Sequence, residues 1–269
     1  MFTKDDINIS TAEIDKNEKT KIITYSLVVV VLIGLVIFLN SINDKYNYII
    51  LDNETVVEYR NGEFIQVKKE DMNLDNKVYR IYNSGKFYGK HYLMNVTGSS
   101  FEFAKVKDNT YTFYSGFIGL SENFKHIPYE KLEFADVDLR RVQSHFNSSL
   151  FSDVTDLTYS YKIHMDFDND GKLETLYFID SSNNEGNDFS VVIYEKNGSF
   201  NIINQNKNSD EEDLYTVTNF SVHAIIDVNN DNRYELIFTN YLYDIPTYSI
   251  YKLEENNTYV KVMETSLVR

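Results

Sequence analysis

Two stretches of this chain, 61 residues apart, align without a gap, and each sets Asp or Asn at alternate positions immediately before an apolar run. The first reads Lys162-Ile-His-Met-Asp166-Phe-Asp168-Asn-Asp170-Gly171-Lys-Leu-Glu174 and continues Thr-Leu-Tyr-Phe-Ile179. The second reads His223-Ala-Ile-Ile-Asp227-Val-Asn229-Asn-Asp231-Asn232-Arg-Tyr-Glu235 and continues Leu-Ile-Phe-Thr239. Each is followed by a hairpin ending in Ile-Tyr with an Asn-rich turn: Ile193-Tyr194 in one, Ile250-Tyr251 in the other. A repeat of this length is one supersecondary unit that buries its apolar face by stacking on its copy.

The spacing within each stretch has a chemical reason. Calcium takes six to eight oxygens at about 2.3–2.6 Å. A tight loop supplies them from side chains at positions 1, 3 and 5, a backbone carbonyl at position 7 and a carboxylate at position 9. Position 6 must adopt a left-handed backbone, which Gly171 does freely and Asn232 does next best. The first loop offers Asp166, Asp168, Asp170 and Glu174, with Lys172 as the carbonyl donor. The second offers Asp227, Asn229, Asp231 and Glu235, with Arg233 as the carbonyl donor. An EF-hand would place Glu at position 12 and helices on both sides. Here position 12 is Tyr177 or Phe238, and both loops run directly into apolar strand. The competing reading is a solvated Asp/Asn-rich turn between strands.

This strand–loop–strand arrangement resembles the FG-GAP/VCBS repeats of integrin-α-type β-propellers, in which D-x-[DN]-x-D-G-x-x-[DE] joins two strands of a blade. The resemblance covers about 160–203 and 222–262. It implies blade-like units with structural calcium. The second loop departs from the pattern, since Asn229 lowers its ligand charge and Asn232 replaces Gly.

The rest of the chain also reads as β. Alternating strands flank short turns in Val56–Ile65, Val78–Tyr88, Phe101–Phe113 (turning at Asp108-Asn109), Val191–Ile202 and Tyr248–Val262 (turning at Asn256-Asn257). Asn and Gly accept the positive φ of tight hairpin turns. Tyr and Phe carry all of the 15% aromatic content, and both suit strands. One segment, Asp136–Phe146, places Val137, Val142 and Phe146, with Leu139 nearby, at helical spacing. Asp136 or Asp138 stands in position to cap it. The expected fold is all-β, made of antiparallel hairpins with propeller-blade-like repeats at the C-terminal end. One short helix lies in the middle, and a transmembrane helix precedes the whole.

That last element is Ile22–Leu39, an uncharged and mostly apolar run of eighteen residues. At 1.5 Å per residue it spans roughly 27 Å, close to the hydrocarbon core of a bilayer. A cleaved signal peptide would end in a small-residue site, whereas Asn40-Ser41-Ile42-Asn43 follows here. Lys16, Lys19 and Lys21 precede the run and only Lys45 closely follows it, which places the N-terminus in the cytoplasm. The expected order is a cytoplasmic tail over 1–21, a transmembrane helix over 22–40, an extracytoplasmic β-rich region over 41–158, and two repeats over 159–269.

Composition narrows the function. The net charge of −15 argues against nucleic acid, which needs a basic face. The chain has no cysteine, so disulfides, thiolate zinc sites and a cysteine nucleophile are excluded together. With its Asn, Lys, Ile, Asp and Tyr usage, this looks like a bacterial cell-surface protein. The five histidines (His91, His126, His145, His164 and His223) form no metalloprotease pair, and no nucleophile elbow or phosphate-binding Gly loop is present. The sequence therefore reads as a single-pass membrane protein with a non-catalytic, calcium-binding structural or interaction module outside. Its partners are the membrane and a protein or cell-wall component. The alternative is an extracytoplasmic sensor or assembly subunit of an envelope complex, and behind that an envelope hydrolase.

Overall fold

The computed structural model describes residues 24–26, 28–31, 47–52, 55–68, 77–83, 85–97, 100–106, 111–112, 116–146, 151, 157, 159–181, 189–207, 219–242 and 245–266. Residues 1–46 form one unit and Asn47–Arg269 a second, compact one. In the first unit, 24–26 and 28–31 are helical, with Val28 to Val31 exposed. The rest of the expected span 22–40 and the tail 1–21 lie outside the described residues. Among the described residues no helix is long and apolar enough to cross a membrane.

The second unit is built from antiparallel strands in three open sheets. The first sheet holds β1 (Tyr48–Leu51), β2 (Thr55–Arg60), β3 (Glu63–Val67), β4 (Val78–Asn83), β5 (Lys86–Thr97), β6 (Ser100–Lys105), β7 (Tyr111–Thr112) and β8 (Phe117–Ser121), in the order β3-β2-β1-β8-β4-β5-β6-β7. The two-residue strands β9 (Lys125–His126) and β10 (Leu132–Glu133) follow, then the helix Asp136–Gln143. The second sheet is β10 with β11 (Tyr161–Met165), β12 (Glu174–Ser181), β13 (Phe189–Lys196) and β14 (Ser199–Lys207), in sequence order. The third is β9 with β15 (Ser221–Asp227), β16 (Glu235–Leu242), β17 (Ile245–Leu253) and β18 (Tyr259–Ser266), in the order β18-β17-β16-β15-β9. Each sheet has two free ends, so the described strands close neither a barrel nor a propeller ring. Strands from before residue 158 edge both later sheets.

The expected hairpins form where the turn chemistry is strongest. Asn61 (φ 55°) and Gly62 (φ 87°) join β2 to β3, and Asn197 (φ 52°) and Gly198 (φ 80°) join β13 to β14. Positive φ at both central residues is the type I′ turn, whose twist matches that of the flanking strands. Asn257 (φ 61°) turns β17 into β18. The turn expected at Asp108-Asn109 lies outside the described residues.

The repeat is a real structural unit: β11–β14 and β15–β18 are two four-stranded meanders with the same order. Their packing is head to tail. One face of the second sheet, carrying Ile163, Phe167, Leu176, Val192 and Tyr194, packs on the third sheet's Ile225, Leu236, Phe238 and Tyr251. The matching face of the third sheet, carrying Ala224, Val228, Ile237, Tyr248 and Ile250, packs instead on Ile49, Leu51, Val57, Ile118 and Leu120 of the first sheet. The outer face of the second sheet is covered by Phe134, Val142 and Phe151 over Tyr177, Ile179, Val191 and Ile193. Every residue of β12 and β13 is buried, so these strands read as near-continuous apolar runs rather than alternating ones.

Two details differ from expectation. The helix ends at Gln143; Val142 is its buried apolar residue, with Leu139 partly buried beside it and Phe146, past the helix end, packed on the same cluster, while Val137 is 62% exposed. Asp138 caps from inside, accepting the Ala135 N–H at 2.9 Å and the Lys162 ammonium at 2.8 Å. The Ile-Tyr pairs are one residue out of step. Tyr194 lies opposite Leu176, whose counterpart Ile237 lies opposite Ile250 rather than Tyr251. Both tyrosines therefore enter the same interface, from opposite sheets.

His126 on β9 stacks on Tyr82 at 4.1 Å and leaves its buried Nε2 without a hydrogen bond. Burial, then Arg80 and His223, pull its pKa down to about 4. A depressed histidine pKa means the unfolded chain binds the proton first, so stability is lost as pH falls from about 6.5 toward 4. His126→Phe should flatten this limb by about 3 kcal/mol. The check is chemical denaturation of parent and variant at pH 7 and pH 4.

Candidate metal centre

The two acidic loops sit at matching strand ends. Asp166 follows β11 and Glu174 opens β12; Asp227 ends β15 and Glu235 opens β16. Each loop is pinned to the core by its second residue, Phe167 at 0% exposure and Val228 at 4%. Sheet packing therefore fixes the first and ninth ligand positions, and the intervening residues follow as a tight turn.

Three hydrogen bonds repeat between the loops, while the position-5 N–H differs, donating to Asp166 at 3.1 Å in the first and to Asn229 at 3.2 Å in the second. The position-1 carboxylate accepts the position-6 N–H, Gly171 to Asp166 at 2.9 Å and Asn232 to Asp227 at 3.2 Å. The position-9 carboxylate accepts the position-2 N–H, Phe167 to Glu174 at 2.9 Å and Val228 to Glu235 at 3.2 Å. The position-5 carboxylate accepts the position-7 N–H, Lys172 to Asp170 at 2.9 Å and Arg233 to Asp231 at 2.8 Å. Gly171 (φ 83°) and Asn232 (φ 63°) take the left-handed backbone expected of position 6. Position 4 does the same through Asn169 (φ 58°) and Asn230 (φ 59°), a requirement the spacing argument missed. Its signal was present, because Asn is among the non-Gly residues most tolerant of that conformation.

The loops also touch each other. The Tyr234 N–H donates to the Phe167 carbonyl at 3.1 Å, and the Tyr259 hydroxyl donates to the Tyr234 carbonyl at 3.1 Å. One side of the stacked sheets therefore gathers seven loop carboxylates.

In the first loop, ligand oxygens of Asp166, Asp168 and Glu174 lie within 4.8 Å of one another. A cation is already among these groups. Lys196 pairs with Asp168, with Asp170 at 3.0 Å and with Glu174 at 3.6 Å. Burial pulls this ammonium down, but its bonds to Asp168 and Asp170 outweigh that and hold it above the usual lysine range. The same contact with Lys196 holds Asp170 below the usual carboxylate range. Lys196 was not legible from the loop, since only the β12–β13 register (Thr175 opposite Glu195) brings it there.

The second loop differs. Asp227 is 1% exposed and its Oδ1 has no hydrogen-bond partner; Glu235 is 2% exposed. Burial pushes Glu235 up to about 8 against the Val228 N–H, with Asp231 and Asp227 adding to the shift. Asn229 is folded back on Asp231, its amide donating to the carboxylate at 2.8 Å. Arg233 points its guanidinium at the carbonyls of Leu253 (3.2 Å) and Glu254 (2.5 Å). The side chain of Lys172 is exposed, and the described contacts engage Lys172 and Arg233 with their loops through N–H groups. The features that suit a hard cation are divided between the loops: among the described residues, the first gathers three carboxylate oxygens, and the second holds a buried carboxylate oxygen, Asp227 Oδ1, with no hydrogen-bond partner.

Comparison with family models, with curated proteins and with solved structures returns no match.

Asp227→Asn keeps an oxygen for the Asn232 N–H and removes a buried charge. In chelator the variant should melt at or above the parent, by up to a few degrees for about 1 kcal/mol. It should lose most of any gain that calcium gives the parent. Thermal melts in chelator and in calcium check both statements.

Proposed function

We propose that this chain is a non-catalytic structural or interaction module of the cell surface. A single N-terminal helix anchors it in the membrane, and calcium at the acidic loop pair stabilises it. Its C-terminal part then corresponds to FG-GAP/VCBS-like, blade-like repeats. The observation that carries the reading is Asp227 beside Glu235: two nearly fully buried carboxylates, one with an oxygen lacking any partner. Burying such charge is costly unless a counter-charge satisfies it. The loop carboxylates are tied to backbone N–H groups of their own turns, an arrangement suited to holding an ion in place. The head-to-tail stacking of the two meanders supports the blade-like reading. The uncharged run Ile22–Leu39, with the helical Val28 to Val31 exposed, supports the anchor.

Calcium that binds only the folded state must raise the melting midpoint. At a hundredfold excess over Kd the gain is about 2.7 kcal/mol, or roughly 5–10 °C for a unit of this size. The full chain should show this rise in millimolar calcium relative to chelator, and an unchanged midpoint would overturn the calcium reading. Placement is tested separately by adding protease to intact cells. Fragments of 47–269 should be released, whereas full protection of that unit would reverse the orientation.

A further inference from the structure

We propose that Lys196 is the resident cation of the first loop, so that a divalent ion enters only the second. This rests on the calcium reading for the second loop and departs from the equivalence of the two loops that their spacing suggests.

The Lys196 side chain is 8% exposed and reaches Asp168, Asp170 and Glu174, the carboxylates at positions 3, 5 and 9. Those are three of the four side chains a calcium ion would use. Its ammonium therefore stands among the oxygens an ion would need, and two cations cannot share them without strong repulsion. Lys196 is also held from behind. It is the last residue of β13, opposite Ser199, next to the tight Asn197-Gly198 turn. Leaving the loop would carry a buried side chain out past that turn. Asp168 Oδ1 has no partner of its own, yet the carboxylate's charge is met through Oδ2.

Among the described residues, the second loop has no such group. Thr175 matches Leu236 in the repeat; Thr175 lies opposite Glu195 and Leu236 opposite Tyr251, so the counterpart of Lys196 is Lys252. Among the described residues, Lys252 makes no ion pair with Asp227, Asp231 or Glu235, and Arg233 is spent on the carbonyls of Leu253 and Glu254. One copy of the repeat carries its cation covalently. The other leaves a buried carboxylate oxygen open.

Equilibrium dialysis of the full chain against calcium tests this by stoichiometry. The parent should bind one ion per chain, Asp227→Asn none, and Lys196→Met two. Two ions bound by the parent would overturn the assignment, as would a Lys196→Met variant that still binds one. A parent that binds none beside a Lys196→Met variant that binds one would sink calcium at the second loop while keeping Lys196 as the cation of the first. A parent and variant that each bind one would do the reverse. Should Lys196→Met fail to fold, acylation of lysines in the parent decides the matter. Lys196 should be protected equally with and without calcium, and faster modification in calcium would mean that the ion displaces it.

Discussion

The sheet built from β15 to β18 is buried on both faces, and that constraint arranges the molecule around it. On one side it meets the second sheet through Phe238 and Tyr251 against Phe178 and Tyr194. On the other it meets the first sheet through Ile237 and Ile250 against Ile49 and Leu120. Large side chains buried this fully are each worth about 1.5–3 kcal/mol. A sheet with two apolar faces has no stable existence alone, so the three sheets form one unit rather than separate domains. The short strands β9 and β10 follow from the same geometry. Each extends the edge of a later sheet while the chain passes between layers.

The packing also dictates where charge is tolerated. Sheets stacked on both faces leave polar groups only the strand ends and the turns. The acidic loops occupy such ends, at the same corner of each meander, with Phe167 and Val228 drawing each loop down onto the core. The carboxylates are thereby pulled partly out of water, where each must find a donor or a counter-charge. Most find backbone N–H groups of the same turn. Glu195, buried on the opposite face, is met by Arg141 and by the Tyr177 hydroxyl at 2.6 Å. Asp180 is pushed up to about 6 by burial and accepts from Ser190 at 2.5 Å. Two loop carboxylate oxygens lack a hydrogen-bond partner, Asp168 Oδ1 and Asp227 Oδ1; Lys196 meets the charge of Asp168, and among the described residues no cation pairs with Asp227.

Much of this was legible in the sequence, because local chemistry leaves local marks. Asn61-Gly62 and Asn197-Gly198 announce their turns, since few other pairs accept two successive positive φ angles. Gly171 and Asn232 announce the left-handed position 6 of the loops for the same reason. What escaped depends on register or on tertiary contact. Val137 fits the helical stripe by spacing, but the stripe that meets the core is rotated toward Leu139 and Val142. Tyr194 and Tyr251 align by residue type yet differ by one place in the ladder, which turns them toward each other across the interface. Lys196 is 22 residues from Glu174 in sequence and becomes its neighbour only through the pairing of β12 with β13. The two-residue strands β9 and β10 carry too little pattern to be read at all.

The two loops keep one backbone and differ in how their charge is met, and the contact between them gives that difference a consequence. The Tyr234 N–H bonded to the Phe167 carbonyl ties the eighth position of the second loop to the second position of the first. Phe167 in turn lies edge-on to Tyr194 and Tyr259, in the centre of the sheet interface. A first loop closed by Lys196 is folded whatever the ion concentration, and through Phe167 it offers the second loop a fixed wall. An ion entering the second loop then orders only its own turn, and less conformational entropy opposes its binding than if both loops had to close together. On the proposed assignment, the covalently held cation pre-organises its neighbour. A repeat with one filled and one open loop can therefore bind its ion more readily than two open loops that must order at once.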